Sequence, residues 1–238
     1  MRKIFKPMIL LGALISSPAL PQAAMDPVNP TCPKEPNWTA NKEMVITPLE
    51  IDDTKVLLAQ GAVDAGLPER MRKALLDHPD AAEIWLRSPG GDARAGNETG
   101  RIIRKEGKGI ITRVPKGWTC FSACNFVFMG GQLRIIEPGG HFMVHMFTMT
   151  GDRNAIDYSV EMGTESTVGL ISEVEQESAQ LAAEDSFFLV RMGVSIKLLT
   201  DIMYKQKAVA TADSLDRSTR RCLTIDEALF YSVANTTG

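Results

Sequence analysis

Between residues 54 and 146, short apolar segments that end at glycine or proline alternate with segments of helical periodicity. The periodicity predicts strands that alternate with helices as far as residue 129 and two consecutive strands after it. Strands are expected at 54–61, 83–86, 109–114, 133–136 and 141–146, and helices at 67–78, 93–105 and 123–129. Short apolar strands separated by helices imply a parallel or mixed sheet with helices packed on it. The chain is therefore expected to adopt an α/β fold.

The pattern changes after residue 149. Residues 151–162 are polar and are expected to be loop or extended, while 168–192 have the periodicity of one long helix. A further helix is predicted at 195–205, then a polar loop at 206–221 and a short closing helix at 223–233. No internal repeat is visible along the chain.

The first 24 residues have the composition of a secretory signal peptide. Arg2, Lys3 and Lys6 precede an apolar run at 8–15, and small residues and prolines follow. That run is too short to span a bilayer, although an uncleaved anchor is an alternative. Export to the periplasm or to the outside of the cell is expected. The predicted organisation is a signal peptide at 1–24, a proline-rich arm or linker at 25–50 and one domain at 51–238.

Composition narrows the range of partners and cofactors. Lys and Arg number 26 against 29 Asp and Glu, for a net charge of −3, and no basic cluster occurs, so a nucleic-acid partner is not expected. The four cysteines lack zinc-ligand spacing, and no metal is expected. In an oxidising compartment they permit two disulfides in three pairings, and buried free thiols are also possible. These cysteines are Cys32, Cys120, Cys124 and Cys222.

Three short pieces of sequence carry groups that acyl-transfer chemistry uses. Gly90 and Gly91 follow an apolar strand, Ser122 opens an apolar helix, and His145 ends an apolar run. Glycine amides can stabilise an oxyanion, a serine can act as nucleophile and a histidine as base. Taken singly, each has a simpler explanation as a turn, a helix cap or a core histidine. His141 has the same alternation parity as His145, so parity does not choose between them.

These pieces have the order and spacing of a known family. Residues from about 56 to 233 resemble the ClpP-type serine peptidases of the ClpP/crotonase superfamily, nearest the exported ClpP-like proteins of bacteria. Ser122 follows Gly91 by 31 residues and precedes His145 by 23. The resemblance rests on the segments 86–91, 122–123, 137–138 and 143–145, and more faintly on 223–228.

The resemblance implies a spiral of ββα units and a role for each site residue. Ser122 would be the nucleophile and His145 the general base, and the amides of Gly91 and Ala123 would form the oxyanion hole. The mechanism would pass through an acyl-enzyme that water then hydrolyses.

The resemblance also implies substrates and partners. An extended peptide or unfolded protein would bind as an added strand beside Gly90, with Asp92 nearby. The long helix at 168–192 would support homo-oligomerisation, or could pack on its own domain. No cofactor is implied, and no ATPase partner is expected outside the cytoplasm.

One position departs from the family pattern. The family has an aspartate three residues before the leucine that corresponds to Leu223, and this chain has Arg220 there. Asp216 is the preferred substitute for the third triad member, with Asp213 and Asp201 as alternatives, or no acid at all.

The resulting hypothesis is an exported, ATP-independent serine peptidase. The alternative is a catalytically weak or inactive protein of the same fold that acts in binding or assembly in the cell envelope. A crotonase-type activity on acyl thioesters fits poorly with export, because coenzyme A is a cytoplasmic cofactor. A Ser–Lys peptidase, with Lys197, Lys205 or Lys207 as base, is a further variant that His145 makes unnecessary.

Overall fold

Eight strands in two sheets, covered by seven α-helices, make up residues 24–208 and 218–237, the part of the chain that the computed structural model describes. The strands are β1 (Val45–Ile51), β2 (Thr54–Gln60), β3 (Glu83–Arg87), β4 (Ile111–Val114), β5 (Thr119–Phe121), β6 (Leu133–Ile136), β7 (His141–Val144) and β8 (Arg221–Cys222). The helices are α1 (Leu67–Asp77), α2 (Ala93–Glu106), α3 (Cys124–Met129), α4 (Arg153–Glu161), α5 (Thr164–Met192), α6 (Lys197–Asp201) and α7 (Ile225–Phe230).

The larger sheet has the strand order β1-β2-β3-β4-β6. Only β1 and β2 are antiparallel, and every other neighbouring pair is parallel. Parallel neighbours need crossover connections, which the intervening helices supply. The interior strands bury Leu57, Ile84 and Leu86 completely, as expected for a sheet covered by other layers. The predicted α/β class is confirmed.

Two consecutive strand–strand–helix units span the two sheets. In β4–β5–α3 and in β6–β7–α4, the first strand belongs to the larger sheet and the second to the smaller sheet, β5-β7-β8. As a result β5 and β7 are parallel neighbours, with Cys120 opposite Phe142. This pairing places the segment that follows β5 beside the segment that follows β7.

Helix α2 packs closely on α3 through a glycine. A Cβ at Gly96 would lie 2.5 Å from the carbonyl oxygen of Ala123, so a larger residue would push the two helices apart. Behind this contact, Phe126 of α3 meets Phe188 of α5 edge to face, with ring centroids 5.3 Å apart. The first turn of α3 is therefore held from two sides.

One predicted loop is wrong. Residues 151–162 were expected to be loop or extended, but Arg153–Glu161 is helical, and Asp152 caps it by accepting a hydrogen bond from the Ala155 amide at 3.1 Å. This helix, α4, buries only Ser159, so it lacks the apolar periodicity that identifies a helix in a sequence. The helix predicted at 195–205 divides at Ile202 into α6 and the 3-10 turn Met203–Lys205.

Three strands were not predicted. β5 and β8 have three and two residues, too few to show alternation, and they exist because β7 pairs with both. β1 pairs with β2 along its whole length, and the expected boundary between arm and domain at residue 50 falls within it.

Both disulfides that the cysteine count permits are formed. Cys32 pairs with Cys222, 190 positions later, and Cys120 pairs with Cys124. The long-range bond holds the N-terminal segment against β8. Within that segment the Asp26 amide donates a hydrogen bond of 2.9 Å to the Cys32 carbonyl. Residues 1–23, nearly all of the predicted signal peptide, lie outside the described residues. Within the described ranges, no helix has both the length and the apolarity needed to cross a membrane.

The two disulfides should differ in their contribution to stability. A crosslink stabilises mainly by restricting the unfolded chain, and its effect grows with the loop that it closes. Replacing Cys32 and Cys222 by alanine should lower the free energy of unfolding by about 5 kcal/mol, and replacing Cys120 and Cys124 by about 2 kcal/mol. Urea denaturation of both double variants under oxidising conditions tests the order. Equal losses would show that the loop-entropy account does not apply here.

Candidate active site

The two sheets meet where β3 ends. Ser88, which is fully buried, forms a parallel bridge with Cys120 of β5. Its amide donates to the Thr119 carbonyl at 2.9 Å, and its carbonyl accepts from the Phe121 amide at 3.1 Å. These two bonds hold the segment that follows β3 beside the end of β5. The Gly90–Gly91 pair is thereby placed against Ser122.

Gly90 is required by this close approach. Its φ is +83°, and a Cβ there would lie 2.5 Å from the Phe121 carbonyl oxygen and 2.6 Å from the Ser122 Cβ. Both the backbone conformation and the space exclude a side chain. The Gly90 amide donates to Ser88 Oγ at 3.1 Å, which closes the turn.

The next residue, Gly91, presents an unused amide. On either side of it, the Gly90 carbonyl accepts from the Val63 amide and the Asp92 amide donates to the Val63 carbonyl, each at 2.8 Å. The Gly91 N–H itself has no acceptor among the residues that the structure describes. It is a free donor at the wall of the cavity that also contains Ser122.

Ser122 occupies the sharp turn between β5 and α3. Its φ of +56° is unusual for a residue other than glycine, and such conformations cluster at functional sites. The disulfide between Cys120 and Cys124 closes around this turn, and both sulfur-bearing residues are completely buried. Ser122 is partly exposed, so its hydroxyl is accessible on an otherwise rigid element.

A second free amide lies beside the serine. The N–H of Ala123 precedes the first turn of α3 and has no acceptor within residues 24–208 and 218–237. The free amides of Gly91 and Ala123 are on the two segments that meet at Gly90, and both residues line the same cavity. Two unpaired backbone donors beside a serine hydroxyl form the arrangement that stabilises an oxyanion.

His145 follows β7, and its ring contacts Ser122. The distance from His145 Nε2 to Ser122 Oγ is 2.7 Å, and the ring lies 4.6 Å from that of Phe121 between centroids. His141, the other candidate base, is not among the residues that line the cavity. Burial lowers the pKa of His141 and favours a neutral ring there.

The other ring nitrogen of His145 contacts a residue that was not predicted. Nδ1 lies 2.9 Å from the hydroxyl oxygen of Ser218, which is buried. The aspartates named from the sequence are carboxylate candidates for this position, and a serine in a polar segment has no sequence pattern to distinguish it. Its proximity to His145 depends on the pairing of β8 with β7.

The three aspartates considered from the sequence have different outcomes. Asp213 and Asp216 lie outside the described residues. Asp201 ends α6, where it pairs with Lys197 at 3.8 Å. Burial raises the pKa of the Tyr231 hydroxyl, and the Asp201 carboxylate adds to this effect. Arg220, at the family position of the aspartate, has its guanidinium 4.9 Å from the centre of the Phe121 ring.

Ser122 and His145 open into a cavity of about 450 Å³. One wall belongs to α2, where Asp92 caps the helix by accepting from the Ala95 amide at 2.9 Å. The opposite wall belongs to α5 and contributes Glu177, Leu181 and Asp185. A cavity of this size with two catalytic-type side chains at its edge is suited to a ligand of several residues or a small organic molecule.

Asp185 is the most perturbed acid in this cavity. Burial raises its pKa to about 7, and the nearby Glu184 carboxylate adds to the effect. Glu184 itself lies 3.6 Å from Arg94 of α2, an ion pair that joins the two walls of the cavity. A carboxyl group that changes charge near neutral pH therefore lines the cavity that contains Ser122 and His145.

The chain was compared with known proteins. No protein-family model matches it, and no curated protein matches it at a significant level. Among solved structures it is similar to that of a mutant ClpP1 from Listeria monocytogenes, with 17% identity and a TM-score of 0.49, over 77% of this chain and 90% of that chain. A likeness at this level carries no argument about function, which is therefore argued from the geometry of the site.

Asp185 should make stability depend on pH. The Asp185 pKa is about 7 in the folded protein and near 3.8 in the unfolded chain. The protonated carboxyl group therefore contributes stability that is fully present below pH 4 and is lost as pH rises through 7. Asp185→Asn stays neutral and should exceed the parent in unfolding free energy at pH 8 by on the order of 2 kcal/mol, with little difference at pH 4.

Urea denaturation at both pH values measures this difference. Glu173→Gln, at an exposed position of the same helix, is the matched control and should show no such pH dependence. An equal effect of Asp185→Asn at the two pH values would contradict the burial of a titrating carboxyl group.

Proposed function

We propose that this protein is a serine hydrolase that cleaves peptides through an acyl-enzyme, with Ser122 as nucleophile and His145 as general base. The observation that carries the proposal is the 2.7 Å contact between Ser122 Oγ and His145 Nε2 at a strained turn. The free amides of Gly91 and Ala123 beside that turn support it.

The first step is attack on a carbonyl carbon. Ser122 Oγ forms the new bond while its proton passes to His145 Nε2, and the carbonyl oxygen becomes an oxyanion that the amides of Gly91 and Ala123 can bind. His145 then donates the proton to the leaving amine as the scissile C–N bond breaks, and the acyl group remains on Ser122.

Water completes the cycle. His145 takes a proton from a water molecule that attacks the acyl-enzyme, and returns it to Ser122 Oγ as the ester bond breaks. For both steps Nε2 must be unprotonated at the start, so Nδ1 must carry the ring proton. Ser218 Oγ, 2.9 Å from Nδ1, can accept a hydrogen bond from that proton and hold the ring in this orientation.

Peptides are the proposed substrates because the motifs resemble those of ClpP-type peptidases and the cavity, of about 450 Å³, can take several residues. Gly90 and Asp92 would border the bound chain, and no cofactor or ATPase takes part in the chemistry described. Export by the 1–24 segment agrees with the two disulfides, which persist in oxidising compartments. Exposed apolar side chains on α5, such as Phe187 and Val190, support self-association.

The second candidate is a binding or assembly protein of the same fold. Arg220 in place of the family's aspartate favours it, because a histidine without a carboxylate partner has much less activity. Such a protein would use the same cavity to hold a ligand without forming a covalent bond. The reactivity of Ser122 therefore separates the two candidates.

A fluorophosphonate probe should label the protein at Ser122. Ser122→Ala should abolish labelling, because the nucleophile is absent, and His145→Ala should slow it by at least about a hundredfold. Ser159→Ala, which removes a hydroxyl of α4 bonded to the Ile156 carbonyl, is the control and should label normally. Mass spectrometry of the modified peptide identifies the site. Absence of labelling in folded protein at pH 7 to 8 would favour the binding protein.

Asp216 remains the proposed acid of the triad, and Ser218 the hydroxyl at Nδ1. Asp216→Asn should reduce kcat much more than KM, because the acid of such a triad stabilises the imidazolium and does not bind substrate. Ser218→Ala should have a smaller effect in the same direction. Steady-state kinetics on a fluorogenic peptide compare them, and an unaltered kcat in Asp216→Asn would exclude that residue as the acid.

A further inference from the structure

The N-terminal arm, defined here as residues 24–38, is bonded to the segment that carries Ser218. Asn29 Oδ1 accepts a hydrogen bond from the Arg220 amide at 2.6 Å, and Thr31 Oγ1 accepts one from the Cys222 amide at 3.0 Å. The disulfide between Cys32 and Cys222 adds a covalent link at the same place. Three contacts, one at Arg220 and two at Cys222, therefore hold residues 220–222 against the arm.

These contacts bear directly on the environment of His145. Residues 221–222 form β8, which pairs with β7 immediately before His145, and Ser218 lies two residues before Arg220. The contact between Ser218 Oγ and His145 Nδ1 thus depends on the position of a two-residue strand. A strand that short has few hydrogen bonds of its own, so the arm supplies much of what holds it.

The arm also contacts the aromatic ring that packs on His145. Trp38 stacks on Phe121 with centroids 5.7 Å apart and planes 14° from parallel, and Phe121 in turn contacts His145. The Asn37 carbonyl accepts from the Thr119 amide at 3.0 Å, which fixes this end of the arm to β5. The arm consequently contacts both segments that surround His145.

The arm lies away from the proposed substrate space. The cavity at Ser122 is lined by α2, α3, α5 and the residues after β7, and no residue of the arm lines it. An effect of the arm on catalysis would therefore act through the orientation of His145. Substrate binding would change little.

We propose that the N-terminal arm is a positioning element of the active site, in which Asn29, Thr31 and Cys32 hold Ser218 in place to orient His145. The proposal rests on the proposed function for its catalytic consequence. Its structural part, the orientation of His145 by the arm, is tested independently of whether the protein hydrolyses peptides.

Two variants test it with the disulfide intact. Asn29→Ala and Thr31→Val each remove one acceptor for the backbone of residues 220–222. Each should lower kcat and the rate of fluorophosphonate labelling on the order of tenfold, with KM unchanged, because a small displacement of a catalytic group has a large effect on rate. The variant that replaces both Cys32 and Cys222 by serine should lower kcat and the labelling rate further.

The tautomer of His145 gives a readout that a purely structural role would not alter. In ¹⁵N-histidine-labelled protein, the ring of His145 should carry its proton on Nδ1, and the two arm variants should show a mixture of tautomers. The chain has three histidines, and comparison with His145→Gln assigns the signal. This measurement needs no activity, so failure of the proposed function leaves it interpretable.

Thr224→Ala is the matched control for lost stability. Thr224 caps α7, two residues after Cys222, by accepting from the Glu227 amide at 3.1 Å. Its loss should destabilise the same region by about 1 kcal/mol and leave kcat and the tautomer unchanged. Arm variants with the parent's labelling rate and tautomer, or a control that changes both equally, would overturn the proposal.

Discussion

The backbone bridge between Ser88 and Cys120 is the contact on which the site depends. It joins the two sheets with a pair of hydrogen bonds in the buried interior, where unpaired backbone groups are costly. The turn that contains Gly90 is thereby pressed against the turn that contains Ser122. The parallel pairing of β5 with β7 then brings His145 to the same point. Hydroxyl, imidazole and free amides converge because three strands end together.

Covalent and polar contacts then make this convergence rigid. One disulfide closes around the serine turn, and the other ties the N-terminal arm to β8. Neither disulfide lines the cavity, and all four cysteines are buried. The geometry of the site thus depends on segments from both ends of the described chain. This distribution explains why a hydroxyl at residue 218 can reach a histidine at residue 145.

Sequence patterns correctly predicted elements that are long enough to show a period and bury one face. The alternation from 54 to 146 correctly indicated β2, β3, β4 and β6 of the larger sheet and the helices between them. The sequence patterns missed β1, which precedes this alternation, α4, a polar helix with one buried residue, and β5 and β8, which are too short for a period. Motif order placed Ser122 and His145 in one site, and the structure brings their side chains within hydrogen-bonding distance. The partner at Nδ1, Ser218, could not be predicted because nothing local marks it.

The sequence by itself determined the α/β class and the turn glycines, because periodicity and small-residue turns are local properties of the chain. The candidate nucleophile and base came from the resemblance of the motifs, in order and spacing, to those of ClpP-type peptidases. Only the tertiary structure decided the disulfide pairing, the free amides of Gly91 and Ala123, and the contact of Ser218 with His145. Each of these depends on which distant segments become neighbours. That choice follows from strand pairing and burial over the whole domain, and no short window of sequence contains it.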